Sequence, residues 1–132
     1  MQLKPIALVI EDNEDLNAIF SSALEKAGYI VQSVYNGASA KELLTEIVPT
    51  IITLDLHMPG MSGDAVLKYI RSDARLKDVR VIITTADARS ADAMQFQPEL
   101  VLLKPISFSQ LSQLAGRFAP KEEIHLIAEP EI

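Results

Sequence analysis

The chain has 132 residues, of which 48% are hydrophobic and 23% charged, and its formal net charge is −6. This length and balance fit one globular domain, and the acidic charge argues against direct binding of DNA through its phosphates. The sequence shows no apolar run long enough to span a bilayer, no signal-peptide pattern after Met1 and no cysteine. We therefore expect a cytoplasmic protein without membrane contacts or disulfides.

Short apolar runs alternate with helical stripes along the chain. The runs predict strands at Ile6–Ile10, Tyr29–Val34, Ile51–Asp55, Val79–Thr84 and Leu100–Leu103. Apolar residues at helical spacing predict helices with the stripes Leu16, Ile19, Phe20, Ala23, Leu24 and Ala27, then Ala40, Leu43, Leu44 and Ile47, then Val66 and Ile70, and finally Leu111, Leu114, Ala115 and Phe118. The third of these helices is expected over Asp64–Ser72, and Ala86–Phe96 is a weaker helical segment. Predicted helix ends and turns lie at Gly28, Asn36-Gly37, Pro49, Ser107 and Pro120.

This alternation predicts a parallel sheet with helices on both faces, joined by right-handed crossovers. Ligands of such sheets bind beyond the carboxyl ends of the strands. Polar residues follow mostly apolar ones at four of those ends, namely Glu11-Asp12, Asp55, Thr84-Thr85 and Lys104. Their convergence at one edge of the sheet predicts the functional site.

Glu11, Asp12 and Asp55 would place three carboxylates together, and their repulsion raises pKa values unless a cation neutralises them. Oxygen ligands without His or Cys companions favour a hard cation, and room for water favours Mg²⁺. Lys104 suits a phosphate oxygen, and a threonine hydroxyl supplies a neutral donor. A carboxylate nucleophile with these companions predicts phosphoryl transfer onto aspartate.

These residues resemble the receiver domain of two-component response regulators, over about residues 4–118. The matching motifs are Glu11-Asp12, Asp55 within LDLHMPGMSG, Thr85-Ala86 and Lys104-Pro105. The resemblance implies a flavodoxin-like, doubly wound α/β fold with a five-stranded parallel sheet in the order 2-1-3-4-5. It also implies a cis peptide bond between Lys104 and Pro105.

In that family the central aspartate takes a phosphoryl group from a phosphohistidine. The resemblance therefore implies that Asp55 is the phosphoacceptor, that Asp12 binds Mg²⁺ directly and that Glu11 acts through water. The backbone carbonyl of His57 would complete the protein ligands of the metal, while its imidazole is expected at the rim. The groups implied to hold the phosphoryl oxygens are the side chains of Thr85 and Lys104 and the N–H groups of His57 and Ala86.

The sequence departs from the receiver pattern around the fourth helix. Val101 stands where receivers usually carry Tyr or Phe, so the usual aromatic switch is missing. Gln97-Pro98-Glu99 replaces the usual Gly-Ala-Asp-type turn, and the fourth helix is expected to be short or irregular. His57 and Asp87 occupy two positions that tend to influence phosphoryl lifetime in the family.

We divide the chain into a receiver domain over residues 1–119 and a tail over 120–132. The tail is predicted to be either disordered or an arm that packs on its own domain or on a second copy of the chain. The expected function is that of a stand-alone receiver that catalyses its own phosphorylation and dephosphorylation and is not a conventional turnover enzyme. Its expected partners are a sensor histidine kinase or phosphotransfer protein and a downstream protein of unknown identity.

Three alternatives stay open. The chain is a receiver-like binding module that does not use phosphate, or a receiver fragment of a longer regulator or hybrid kinase. A metal-dependent phosphatase of the haloacid-dehalogenase type is disfavoured, because His57 stands where that family needs a second aspartate.

Overall fold

Strands and helices alternate in the computed structural model, which describes residues 4–120. The elements in chain order are β1 (Ile6–Ile10), α1 (Glu14–Lys26), β2 (Ile30–Val34), α2 (Gly37–Leu44), β3 (Ile51–Asp55), α3 (Gly63–Ser72), a 3₁₀ turn (Ala74–Leu76), β4 (Arg80–Thr85), α4 (Ala88–Asp92), β5 (Leu100–Leu103) and α5 (Phe108–Phe118).

The strands form one parallel sheet in the order β2-β1-β3-β4-β5, as the resemblance implied. The chain reverses its direction of progress across the sheet between β1 and β3, which are neighbours in space. All five residues of β3 are buried, because this central strand is covered on both faces. A crevice at the carboxyl ends of β1 and β3 is therefore the expected ligand position in this topology.

The core has two parts because alternate strand residues point to opposite faces of the sheet. Val9 and Ile82 point to the face covered by α1 and α5, whereas Leu8 and Leu54 point to the face covered by α2 and α3. The helices on the first face contribute Phe20, Ala23, Leu24, Leu111 and Ala115. Those on the second contribute Ala40, Leu44, Val66, Leu67 and Ile70. The helical stripes thus face the core as predicted, except that Ile19 is 43% exposed and Ile47 lies beyond the end of α2.

Two local predictions need correction. Asn36-Gly37 is not a free turn, because Asn36 caps α2 by accepting a hydrogen bond from Ser39 N and Gly37 is the first helical residue. The fourth helix spans only Ala88–Asp92, and none of these residues is buried. The expectation of a short fourth helix is thereby confirmed, while its proposed extent of Ala86–Phe96 was too long. An apolar stripe is absent from this segment, so little packing energy is available to extend the helix.

The second helix ends at Leu44 and not near Pro49 as predicted, while the remaining boundaries agree to within a residue or two. The peptide bond between Lys104 and Pro105 is cis as implied. None of the helices between residues 4 and 120 combines the length and the apolar character needed to cross a bilayer. The interpretations offered for the tail concern residues 121–132, which lie outside the described part of the chain.

The hydroxyl of Thr53 yields a test of the packing of β3. This side chain is 1% exposed, and its Oγ1 has no hydrogen-bond partner among the described residues. Thr53→Val replaces the hydroxyl by a methyl of similar size, so the free energy of unfolding is expected to rise by about 1 kcal/mol. Thr53→Ser, which keeps the hydroxyl and loses the buried methyl, should lower it by about 0.8 kcal/mol. Urea denaturation measures both changes. A Val variant less stable than the parent would contradict the conclusion that the buried Thr53 hydroxyl has no hydrogen-bond partner in the described part of the chain.

Candidate functional site

Three carboxylates meet at the carboxyl edge of the sheet. Glu11 and Asp12 follow β1 and Asp55 ends β3, and one oxygen from each lies within 4.8 Å of the others. Glu11 and Asp55 are buried, whereas Asp12 is exposed. This convergence was predicted from the sequence, and it follows from the pairing of β1 with β3.

Lys104 supplies the positive charge of this edge. Its Nζ lies 3.0 Å from Glu11 Oε1 and 3.4 Å from Asp55 Oδ1, and its side chain is 20% exposed. Because β5 is not adjacent to β3, the lysine reaches Asp55 across the end of β4. One ammonium group thus contacts two of the acids, and its pairing with Glu11 is the shorter of the two.

The carboxylate of Glu11 is held by the start of the following helix. Its Oε2 accepts a hydrogen bond of 3.1 Å from Asn13 N, and its backbone N–H donates to Val34 O at 3.2 Å. Oε1 has no partner of hydrogen-bond geometry among the described residues and faces only the ammonium of Lys104. A buried carboxylate oxygen with so few partners is stabilised by any additional cation that binds beside it.

The loop after β3 is closed tightly behind Asp55. Gly63 N donates to Leu56 O at 3.0 Å, and a Cβ at Gly63 would come within 2.7 Å of Leu56 Cα and still closer to the carbonyl oxygen of Asp55. Any larger residue at this position must therefore displace the backbone that carries Asp55. Within this closed loop His57 N donates to Asp55 Oδ1 at 3.2 Å.

Thr85 ends β4 one residue beyond Thr84, the partner of Asp55 in the ladder. Its side chain is fully buried, and Oγ1 accepts a hydrogen bond of 3.0 Å from Asp87 N. The Thr85 carbonyl accepts from Lys104 N at 2.7 Å. The hydroxyl and the lysine are consequently carried by two bonded strand ends. Ala86 follows Thr85 and is exposed.

The electrostatics of Asp55 reflect its burial beside a second acid. Burial raises the pKa of its carboxyl group most, and the negative charge of Glu11 raises it further. The ammonium of Lys104 and the N–H of His57 lower it, which leaves the pKa of Asp55 at about 7 against an ordinary value of 3.8. A group that holds its proton near neutrality is a candidate for functional chemistry.

The donor set fits a hard divalent cation. The three carboxylates supply oxygen ligands only, no histidine or cysteine belongs to this cluster within residues 4–120, and the only donor beside Glu11 Oε1 in this part of the chain is the ammonium of Lys104. Lys104 offers one positive charge against them. These features match the preference of Mg²⁺ for a few carboxylates with water as the remaining ligand.

The side chain of His57 is exposed at the rim, as expected. The pKa of Asp87 is lowered by hydrogen bonds from the Ser90 hydroxyl and Arg89 N and, more weakly, by the charge of His57. Two other residues of the edge received no predicted role: Gly63, the last residue of LDLHMPGMSG, and Asn17, which belongs to none of the matching motifs. The sequence offered one signal for Asn17. It is a polar residue placed three residues before Phe20 and seven before Leu24, which is the spacing of the buried face of α1.

Comparison with known proteins agrees with this geometry. The response regulator receiver domain family matches residues 7–115. The polar-differentiation response regulator DivK of Brucella anthropi is 33% identical over 103 residues, which are 76% of this chain and 84% of that protein. The hybrid signal transduction histidine kinase D of Dictyostelium discoideum is 36% identical over 85 residues, which are 64% of this chain but only 5% of the kinase.

Solved structures show the same fold. The chemotaxis response regulator CheY4 of Vibrio cholerae superposes with a TM-score of 0.78 at 21% identity, covering 88% of this chain and 99% of that one. The signal receiver domain of a histidine kinase from Syntrophus aciditrophicus gives a TM-score of 0.78 at 26% identity, covering 86% and 89%. The chain belongs to the receiver domain family of two-component response regulators.

The raised pKa of Asp55 predicts a pH-dependent stability in the absence of metal. Between the unfolded value of 3.8 and about 7, the folded protein holds a proton that the unfolded chain releases, so stability falls as pH rises through this range. Asp55→Asn does not titrate. The unfolding free energy of the variant minus that of the parent should therefore increase from pH 4 to pH 7, by up to about 4 kcal/mol. Urea denaturation in the presence of a chelator measures this difference, and a constant difference across the range would contradict the assigned pKa.

Proposed function

We propose that this chain is a phosphoacceptor receiver that takes a phosphoryl group on Asp55 in a Mg²⁺-dependent reaction. The observation that carries the proposal is the position of the Asp55 carboxylate, 3.4 Å from Lys104 Nζ and clustered with Glu11 and Asp12 at the carboxyl edge of the sheet. The donor is a phosphohistidine of a sensor histidine kinase or phosphotransfer protein, in keeping with the membership of the family.

In the proposed step, an oxygen of the Asp55 carboxylate attacks phosphorus and the bond from phosphorus to the histidine nitrogen breaks. The imidazole leaves with the electron pair and is protonated by solvent. The free carboxylate is the nucleophile, so the proton that Asp55 holds near neutrality has to leave first. Lys104 stands where it neutralises an oxygen of the incoming group, and the Thr85 hydroxyl and the N–H groups of His57 and Ala86 are the remaining donors.

Glu11, Asp12 and Asp55, together with the His57 carbonyl, are the groups that would hold Mg²⁺. When bound, the cation neutralises charge on the phosphoryl oxygens. The same cation would lower the pKa of Asp55, because it replaces the repulsion from Glu11 by attraction.

The readout of the phosphorylated state is proposed to run through Thr85 to α4. Thr85 Oγ1 now accepts from Asp87 N, and Asp87 caps α4 by accepting from Arg89 N. A phosphoryl group that recruits the Thr85 hydroxyl competes with this arrangement, and it brings about −1.5 to −2 charges to the edge. Since α4 has no buried residue, its position has little packing to resist such a shift.

Val101 gives a specific reason to keep a second candidate function, a receiver-like binding module that does not use phosphate. The residue is half-buried against the core beside a groove of about 620 Å³ between α4 and β5. Ala91, Met94 and Leu103 also line this groove. A valine has no ring to move between buried and exposed positions, so the groove can serve a partner in either state of Asp55.

Phosphorylation by a small donor separates the two functions. Incubation with Mg²⁺ and a phosphoramidate is expected to add the mass of one phosphoryl group, stable in acid and labile in base, because the acyl phosphate forms on a single carboxylate. Intact-mass spectrometry measures the adduct. Asp55→Asn should carry none, and a chelator should abolish the adduct on the parent.

An adduct that persists on Asp55→Asn would contradict the assignment of the acceptor. No adduct with any donor, in protein shown to be folded, would favour the binding module. Multiple turnover of a phosphate ester would instead favour a phosphatase. The matched variant Thr53→Ser, altered two residues before Asp55 in the same strand, should still be phosphorylated.

His57 and Asp87 are proposed to tune the lifetime of the acyl phosphate. Both are exposed, and they are near enough for the charge of His57 to lower the pKa of Asp87; in this role they would orient attacking water. The double variant His57→Ala, Asp87→Ala is expected to lengthen the half-life by about threefold or more, since an orienting acid or base is lost. The decay of the phosphorylated mass after removal of the donor measures this half-life.

The control is His57→Ala, Asp87→Asn, which removes both ionisable groups and keeps a capping residue at α4. It should behave like the first double variant. Asp92→Ala, which removes another exposed acid from α4, should decay at the parental rate. Equal half-lives for the parent and both double variants would refute the role of the pair.

A further inference from the structure

Asn17 is a polar residue buried in the face of α1 that covers the sheet. It is 1% exposed and lies one helical turn before Phe20 on the same face. A side-chain amide in such a position requires hydrogen-bond partners, because burying it without them costs free energy. The partners of its amide nitrogen lie outside the helix that carries it.

The amide nitrogen of Asn17 bridges two strand ends. Nδ2 donates to the carbonyl of Glu11 at 3.0 Å and to the carbonyl of Val34 at 3.0 Å, which uses both of its hydrogens. Oδ1 accepts from the Ser21 hydroxyl at 3.3 Å, and this bond orients the amide. The side chain therefore ties α1 to the ends of β1 and β2 at once.

The Glu11 carbonyl belongs to the peptide unit that joins Glu11 to Asp12. Because a peptide unit is planar, holding its oxygen fixes the relative directions of the two residues that it connects. The preceding peptide unit is held as well, since Glu11 N donates to the same Val34 carbonyl at 3.2 Å. Glu11 is thereby fixed on both sides of its Cα atom, and its carboxylate and that of Asp12 reach the Asp55 cluster from this fixed backbone.

We propose that Asn17 is the positioning residue of the acidic edge, and that its two hydrogen bonds set the affinity of Glu11 and Asp12 for a divalent cation. Asn17 itself contacts none of the carboxylate groups of the site and acts only through the backbone of Glu11. The inference rests on the proposed function, because it presumes that these carboxylates bind Mg²⁺. Partners that orient metal ligands in this way typically account for a 10- to 100-fold difference in metal affinity.

The test is the Mg²⁺ dissociation constant of Asn17→Leu, measured by calorimetry. Leucine has a similar branched shape and no amide, so both bonds to the strand ends are lost. The dissociation constant is expected to rise by about tenfold or more. Ser21→Ala, which leaves both Nδ2 bonds in place, should change it by less than about threefold.

Tyr29→Phe controls for a general loss of stability. It removes another buried hydrogen bond to a carbonyl, from Tyr29 Oη to Ala115 O at 2.8 Å, at the opposite edge of the sheet. Its Mg²⁺ affinity should equal that of the parent, although its stability is lowered. A dissociation constant of folded Asn17→Leu that matches those of the parent and Tyr29→Phe would overturn the proposal.

A second measurement uses the parent protein, in case Asn17→Leu does not fold. In a ¹⁵N-labelled sample, the side-chain NH₂ signals of Asn17 should shift during a Mg²⁺ titration with the same midpoint as the backbone signal of Asp12. Those of Gln113, an exposed residue of α5, should stay in place. Unmoved Asn17 signals would overturn the proposal.

These outcomes separate a failure of Mg²⁺ binding from a failure of the role of Asn17. A parent that binds no Mg²⁺ refutes the metal part of the proposed function and this inference together. A parent that binds Mg²⁺ while Asn17→Leu binds it equally well refutes only the role of Asn17.

Discussion

The burial of Asp55 beside Glu11 is the constraint on which the rest of the site depends. Two carboxylates removed from water repel each other, and Lys104 offsets this with one ammonium group at 3.0 and 3.4 Å. With Asp12 included, the edge has three carboxyl groups and one ammonium group among the described residues. An edge of this kind attracts cations, so the charges that make it costly to fold are also those that would hold the cation of the proposed reaction.

The sheet makes this arrangement possible by delivering groups from distant parts of the sequence to one edge. The adjacency of β1 and β3 brings the acids together, and the adjacency of β4 and β5 carries Thr85 and Lys104 to the same side. Two close approaches then fix the details. Gly63 lets the loop fold back onto the carbonyl of Asp55, and the Asn17 amide holds the end of β1. Both contacts restrict the backbone at the ends of the strands. This matters for a charged site, because a small displacement of a carboxylate changes its electrostatic interactions strongly.

The side of the molecule that carries α4 is built differently from its acidic edge. The core beneath β3 is closely covered, whereas α4 is a five-residue helix with no buried residue. The loop after it is anchored from α3, since Arg71 pairs with Glu99 at 2.7 Å and donates to the carbonyl of Val79 at 3.0 Å. Glu99 in turn accepts from Val81 N, so the start of β5 is fixed while α4 is held mainly by its cap. Any signal from Thr85 would therefore reach a weakly packed helix between two firmly held strands.

The sequence by itself determined the class of fold and the chemistry of the edge. Strongly apolar strands, helical stripes and the polar residues at strand ends are local patterns, and they sufficed to predict the sheet and to single out Asp55 and Lys104. The burial of Asn17 was decided only in the tertiary structure, because its partners Glu11 O and Val34 O come from the ends of two strands that meet only once the sheet forms. The raised pKa of Asp55 is of the same kind. It arises from burial and from the distance to Glu11, which exist only once β1 and β3 lie side by side.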